Sequence, residues 1–556
     1  MSIRDGQSRD RVMRGSWWIL LVVYALVVGA VLAPVLFASV GADDSYWILE
    51  KGPQFHGSVW DAWWEPLKHP FTFDAQPRTA VLSLSDRMVV AVVTMKLVTV
   101  FSIPPLIVWA CIKAGLVVMS VVAAIAFLRQ VTFRDRHGIV RGLDRSSIAF
   151  IALALPLTIA IGCKAQNLGT DNGWNFYPTL TYGAFVGYLL FAALVLRLSS
   201  LLDHSYRRWA IPVAALMVFA GIAINLSYEV LALLIPLSVL VLLLQPLPAA
   251  ADRWLRWRAK ATVMLALVIP YTAMFAFIRW KVSHAACLAT DSCYSGSVVN
   301  ISPRAIWYNF LGATPGHNGA LVTHQSRVAH LPFPDASPAS IAIGVLGVVV
   351  LGALWASWNA RQRLLAQPAA TAEGPTGGDA RGLLIVLAVA LAMAVGSSLI
   401  TGVTQRAVDD LVTPMVSYRT GVVTWSALAL AGLVLVRLMA TTEWRAVQVG
   451  GVLALAAVLI GATAIYLPRN LLTAQQNRVE VRTAFNDGLH RELALGDTSQ
   501  AGDDRRCAAI RTELTRRAGV PAPTLTRTLV AADKAFEFYH HAPYCSAGID
   551  LNPPAG

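Results

Sequence analysis

Two adjacent carboxylates, Asp43 and Asp44, stand where the first long apolar run gives way to polar sequence, in Gly41-Ala42-Asp43-Asp44-Ser45-Tyr46-Trp47. A carboxylate at an apolar boundary is partly desolvated, which raises its pKa and suits it to accept a proton from a hydroxyl. Neighbouring residues on a helix or turn point in different directions, so the pair does not share a proton by default. One can face a cavity while the other makes a structural contact. The competing role is to cap a helix beginning at Ser45.

Aromatic residues follow: Trp47, Phe55, Trp60, Trp63, Trp64, Phe71 and Phe73, with His56 and His69 among them. Amphipathic rings belong at a water–lipid interface, and their apolar faces also stack on other flat apolar surfaces, sugar rings included. Trp60-Asp61-Ala62-Trp63-Trp64-Glu65 mixes rings with carboxylates and is the best candidate for a carbohydrate-facing patch.

The bases that could meet a phosphate are Arg279 and Lys281, at the end of one apolar run, and Arg406 and Arg419, which flank Asp409-Asp410 between two later ones. Arginine suits bidentate phosphate contact. Snorkelling to the interface competes for the first pair, and neutralisation of the carboxylates competes for the second. Glu229 forms a tight polar turn with Asn225 and Tyr228, and Asp171, Asn172, Trp174, Asn175 and Tyr177 cluster after another run. Each group could line a sugar pocket or simply be a polar turn. Lys113 lies inside an apolar run, where a charge is expensive. His317, His324 and His330 share one polar segment without ligand spacing such as His-x-x-x-His, so no metal is assigned.

The elements that must position these residues follow from composition. The chain has 556 residues, 56% hydrophobic and 14% charged, with mean hydropathy +0.57. Soluble domains carry roughly 25% charged residues, so soluble, disordered, collagenous and small disulfide-scaffold classes are excluded. What remains is an all-α polytopic membrane protein. Eleven apolar runs are long enough to cross a bilayer: 17–40, 104–128, 146–163, 179–200, 209–227, 230–248, 261–280, 339–358, 382–402, 420–439 and 446–467. Residues 86–103 are apolar but hold Lys96 and end at Pro104-Pro105. They are read as a helix lying at or dipping into the outer interface.

Arg4, Arg9, Arg11 and Arg14 precede the first run, which places the N-terminus inside. A signal peptide competes, against a long run and no clean cleavage site. Arginines then recur on alternate connections: 129–145, 207–208, 253–260, 361–381 and 437–445. They account for much of the net charge of +13, so nucleic acid is not expected as a partner. The outside is left with three large segments, 41–103, 281–338 and the tail 468–556. The tail is expected to form amphipathic helices over 470–495 and 503–518 and, at ~90 residues, to dock on the other outside loops. Cys287 with Cys293, and Cys507 with Cys545, form two pairs on the oxidising face and are read as disulfides. A metal site is the alternative, without Cys-x-x-Cys or suitably spaced His in its favour.

A first span from the cytoplasm, an acidic motif directly outside it, a long first outside loop and a second one between spans seven and eight resemble the plan of GT-C glycosyltransferases. These integral membrane enzymes take sugars from polyprenyl-phosphate carriers. Ala42-Asp43-Asp44 is especially similar to the acidic motif of actinobacterial arabinofuranosyltransferases. The resemblance covers roughly the first 340 residues as topology, and the tail matches no recognisable carbohydrate-binding module.

It implies a GT-C-like transmembrane domain over 1–467 and an extracytoplasmic C-terminal domain over 468–556, in a bacterial plasma membrane with the C-terminus outside. It implies Asp43 or Asp44 as catalytic base. The implied substrates are a polyprenyl-phosphate sugar as donor and an envelope glycan or glycolipid as acceptor. No cofactor is implied beyond the donor, and no divalent metal. A lipid-linked-sugar flippase or other transporter, a glycan ligase or polymerase, and a non-catalytic scaffold are the alternatives.

Overall fold

The computed structural model describes residues 2–38, 40, 42–68, 81–134, 139–163, 178–227, 229–246, 253–284, 298–313, 336–365, 379–409, 421–479, 481–516 and 522–548. The described residues are predominantly helical, with one antiparallel hairpin among them, β1 (Thr132–Arg134) with β2 (Val140–Gly142), in which Phe133 faces Arg141. Among the described residues, eight helices are long and apolar enough to cross a membrane, as expected of a multi-pass membrane protein.

The helices fall into two groups. The apolar ones are α1 (Ser2–Leu36), α5 (Pro105–Gln130), α6 (Arg145–Ala160), α7 (Pro178–Asn225), α8 (Leu234–Leu244), α9 (Arg253–Ser283), α11 (Pro338–Leu365), α12 (Asp379–Gly402), α14 (Gly421–Ala440) and α15 (Arg445–Val479). The others are α2 (Ala42–Gln54), α3 (Val59–Lys68), α4 (Val81–Phe101), α10 (Pro303–Ala313), α13 (Gln405–Asp409), α16 (Val481–Leu495), α17 (Gln500–Arg516) and α18 (Ala522–His540).

Several boundaries differ from expectation. The runs 179–200 and 209–227 lie in one 48-residue helix, α7, bent where Ser205 leaves helical geometry at φ −152°, ψ 65°. The bend falls in the polar stretch around Asp203-His204. The run 146–163 forms a helix of only 16 residues, ~24 Å long against a ~30 Å hydrocarbon core. The run 230–248 begins with a 3-10 turn, Glu229–Leu233, before α8. Helix α4 is long enough to span, but Asp86, Arg87 and Lys96 within it oppose burial in lipid. It packs instead against α2, α3 and α5.

One end of the bundle is tied by polar contacts between helix termini. Asp144 caps α6 by accepting from the Ser146 N–H. Asp379 accepts from the Asp144 N–H and from the Ser147 hydroxyl. Arg437 donates to Ser146 and Ser147 at 2.8 Å, and buried Lys260 donates to the Gln245 carbonyl that ends α8. The arginine-rich segments of the sequence meet at this end. At the other end, the Trp425 Nε1–H donates to the carbonyls of Thr158 and Ile159, and Asn470 donates to the Cys163 carbonyl.

The tail forms a second core with the first loop. Ile48 and Leu49 of α2 and Met95 and Val98 of α4 are buried together with Leu493, Leu529 and Phe536 of the tail. The expected helix 470–495 divides, its first part continuing α15 to Val479 and its second forming α16. A third tail helix, α18, packs directly on α2. The Cys507–Cys545 disulfide is present; Cys287 and Cys293 lie outside the described residues.

Candidate functional site

Asp43 and Asp44 fall in the first turn of α2, which follows closely on the end of α1. Their backbone is helical and their side chains lie outside the described residues. Carboxylates in a first turn complement the helix dipole, so a structural contribution accompanies any chemical one. The geometry around them is set by two buried neighbours. Ser45 is 1% exposed, and its carbonyl accepts from His490 of α16 at 3.2 Å. Below, the buried Lys113 ammonium donates to the carbonyls of Val35 and Leu36 at 3.1 and 3.4 Å. An ammonium at the C-terminal carbonyls of a helix satisfies orphan acceptors and the dipole together. The charge inside the apolar run thus fixes the end of α1.

From this turn a chain of contacts leads to a groove. Trp47 stands one turn beyond Asp43-Asp44, and the Arg87 guanidinium lies 4.0 Å from the centre of its ring. The adjacent Asp86 accepts from the Thr179 hydroxyl at the start of α7, at 2.7 Å. Burial pushes the Asp86 carboxyl above the ordinary aspartate range, against the opposing Thr179 hydrogen bond and Arg87 charge. The Leu82 N–H donates to the Leu226 carbonyl at 2.8 Å, so α4 meets both ends of α7.

Thr179 is also the polar head of an apolar groove of about 360 Å³ that continues along α7 past Gly183, Gly187 and Phe191 to Leu194, walled by Leu231 and Leu234. Glycines at 183 and 187 remove two side chains from one helix face and so open the groove. Asp86 and Arg87 are thus site candidates that the sequence reading passed over. The available signal was the appearance of paired charges inside an apolar segment.

The aromatic patch is present as an outward platform. Trp60, Trp63 and Trp64 are 66%, 37% and 45% exposed, with ring centres 5.5 to 6.0 Å apart in stacked arrangement. Their spacing puts all three on one face of α3, while Ala62 and Pro66 are buried. Ser58 begins the helix by accepting from the Asp61 N–H. Glu229 is exposed and opens the 3-10 turn that follows α7.

Of the expected phosphate-binding bases, the side chains of Arg279 and Lys281 are described. The Arg279 guanidinium lies 6.0 Å from the Phe275 ring, and the Lys281 ammonium 5.5 Å from Trp280 and 6.0 Å from Phe277. Rings on the same helix flank both bases, the pattern of an interfacial girdle. Arg406 belongs to α13, with its side chain outside the described residues, and Arg419 lies wholly outside them. Their segment nevertheless meets the second loop. Val299 bridges Thr404, Asn300 donates to Gln405, and a Cβ on Gly402 would stand 2.7 Å from the Ile306 Cα. The cluster at 171–177 and the histidines at 317, 324 and 330 also lie outside the described residues. Among the described residues, no three His, Cys, Asp or Glu side chains converge as metal ligands.

No protein-family profile, curated protein or solved structure matches this chain.

Proposed function

We propose that the chain is a membrane glycosyltransferase of the GT-C type, with eleven spans and its N-terminus in the bacterial cytoplasm. The bend in α7 separates two of those spans, and α6 and the segment 229–244 supply two short ones. The enzyme moves a sugar, a pentose such as arabinofuranose or a hexose, from polyprenyl phosphate to an envelope glycan or glycolipid. The supporting observation is the run of contacts from the acidic turn of α2 through Trp47 and Arg87 to Asp86, at the head of the Gly183–Gly187 groove. A lipid-linked sugar phosphate requires that combination: an apolar channel for the chain, a cation for the phosphate and a carboxylate for the acceptor.

The chemistry is direct displacement with inversion. Asp43 or Asp44 takes the proton of the acceptor hydroxyl as its oxygen bonds to the anomeric carbon. The bond from that carbon to the phosphate oxygen breaks, and polyprenyl phosphate departs with the electron pair. Arg87 lies where a guanidinium could stabilise the departing charge. Trp60, Trp63 and Trp64 offer the acceptor a stacking face, and Glu229 a hydrogen-bond acceptor.

The reading is tested with purified protein, a panel of polyprenyl-phosphate pentoses and hexoses, and envelope glycan fragments. One donor is consumed with equal release of polyprenyl phosphate, and the product has the opposite anomeric configuration. Movement of an intact lipid-linked sugar across vesicles, with no donor consumed, contradicts it and favours the transporter.

A further inference from the structure

A second cavity, of about 970 Å³, lies between α1, α5, α6 and α11. It follows α1 from Trp17 to Leu36, ~28 Å at the helical rise and close to the full hydrocarbon thickness. Its walls are apolar, and small residues make the room. At Gly29 an added Cβ would meet open space.

The arginine-rich end of this trough has a different character. Arg129 at the end of α5 and Arg145 at the start of α6 line it, with Trp17, Trp358 and Gln362. Both arginines are exposed, and neither forms an ion pair with another described residue. Two carboxylates stand nearby: Asp144 is engaged by Ser146 and lies 4.0 Å from Arg437, and Asp379 accepts from the Asp144 N–H and the Ser147 hydroxyl. The mouth therefore offers two positive charges beside the Gln362 amide.

This lining fits a negatively charged head group on a long apolar tail. Phosphate is such a group, and basic pockets between membrane helices bind anionic phospholipid heads. We propose that the trough binds an anionic glycerophospholipid from the leaflet at the arginine-rich end. Arg129 and Arg145 hold its phosphate, and its acyl chains lie along α1. The site is separate from the proposed transferase site and does not depend on it. It braces the helix whose far end leads into Asp43-Asp44.

The test uses the full chain in mild detergent, with native mass spectrometry after addition of phosphatidylglycerol, phosphatidylcholine or a polyprenyl phosphate. Phosphatidylglycerol is retained about tenfold over phosphatidylcholine, as two charge-assisted contacts imply, and polyprenyl phosphate does not displace it. The double variant Arg129→Gln/Arg145→Gln loses the preference while melting normally in phosphatidylcholine. Gly29→Leu, which fills the trough and leaves the charges in place, also lowers retention. Equal retention of both phospholipids, an unchanged preference in the double variant, undiminished retention by Gly29→Leu, or displacement by polyprenyl phosphate would each overturn the proposal.

Discussion

The Nε2 atom of His490 lies 3.2 Å from the carbonyl oxygen of Ser45, joining the C-terminal tail to the residue that follows Asp43 and Asp44. A carbonyl only accepts, so Nε2 carries the hydrogen. Burial pushes the imidazole down to about 4, and it is neutral at pH 7. The tail is thereby part of the scaffold of the acidic turn.

This contact makes tail docking sensitive to acid. The folded pKa is depressed below the unfolded value, so between about 6.5 and about 4 the unfolded state binds a proton that the folded state does not. Stability falls as pH falls through that window, by up to ~3 kcal/mol at its lower end. Melting of the full protein in detergent checks this, and His490→Gln flattens the profile between those limits. An equally steep profile in the variant would assign the effect elsewhere.

The packing of α2 on α18 leaves no room at Gly52. A Cβ there would stand 2.5 Å from the Tyr539 hydroxyl and 3.0 Å from the Met95 Cγ. Gly52→Ala is expected to destabilise the docked tail by ~1–3 kcal/mol. Adding Tyr539→Phe, which removes the obstructing oxygen, recovers part of that loss in a thermal-melting double-mutant cycle.

Arg506 is 1% exposed. Its Nε donates to the Tyr544 carbonyl at 2.6 Å, its guanidinium lies 4.2 Å from the Phe536 ring centre, and Asp503 pairs with it at 3.5 Å. Arg506→Met leaves the carbonyl and Asp503 without that partner, and is expected to cost ~3–5 kcal/mol. Limited proteolysis then cuts the tail before the membrane bundle.

If Arg87 meets the donor phosphate, Arg87→Gln raises the KM for the donor by about tenfold or more, and Arg87→Lys recovers part of the loss. A change confined to stability, with donor KM unaltered, would leave Arg87 as a packing partner of Trp47 alone.

The membrane helices were legible because a ~20-residue apolar run has few other uses in a folded chain. The Cys507–Cys545 pairing was legible from its place on one face. The bend at Ser205 was not, because helix can continue through a polar stretch that also reads as a loop. Asp86 was hidden in an apolar segment, and its burial arises only when α4 meets Thr179. Arg506 reads as one more solvated tail arginine until Phe536 and Tyr544 close over it. The Gly183–Gly187 groove likewise depends on Leu231 and Leu234 returning from the far side of a turn.

The central claim is that Asp43 or Asp44 is the base of a sugar transfer from polyprenyl phosphate. Its most direct test is the transfer rate of Asp43→Asn and Asp44→Asn proteins with the donor that the wild type consumes. The account predicts that one variant loses transfer by ~10²-fold or more, with donor binding and melting temperature retained. Undiminished transfer by both variants would contradict it.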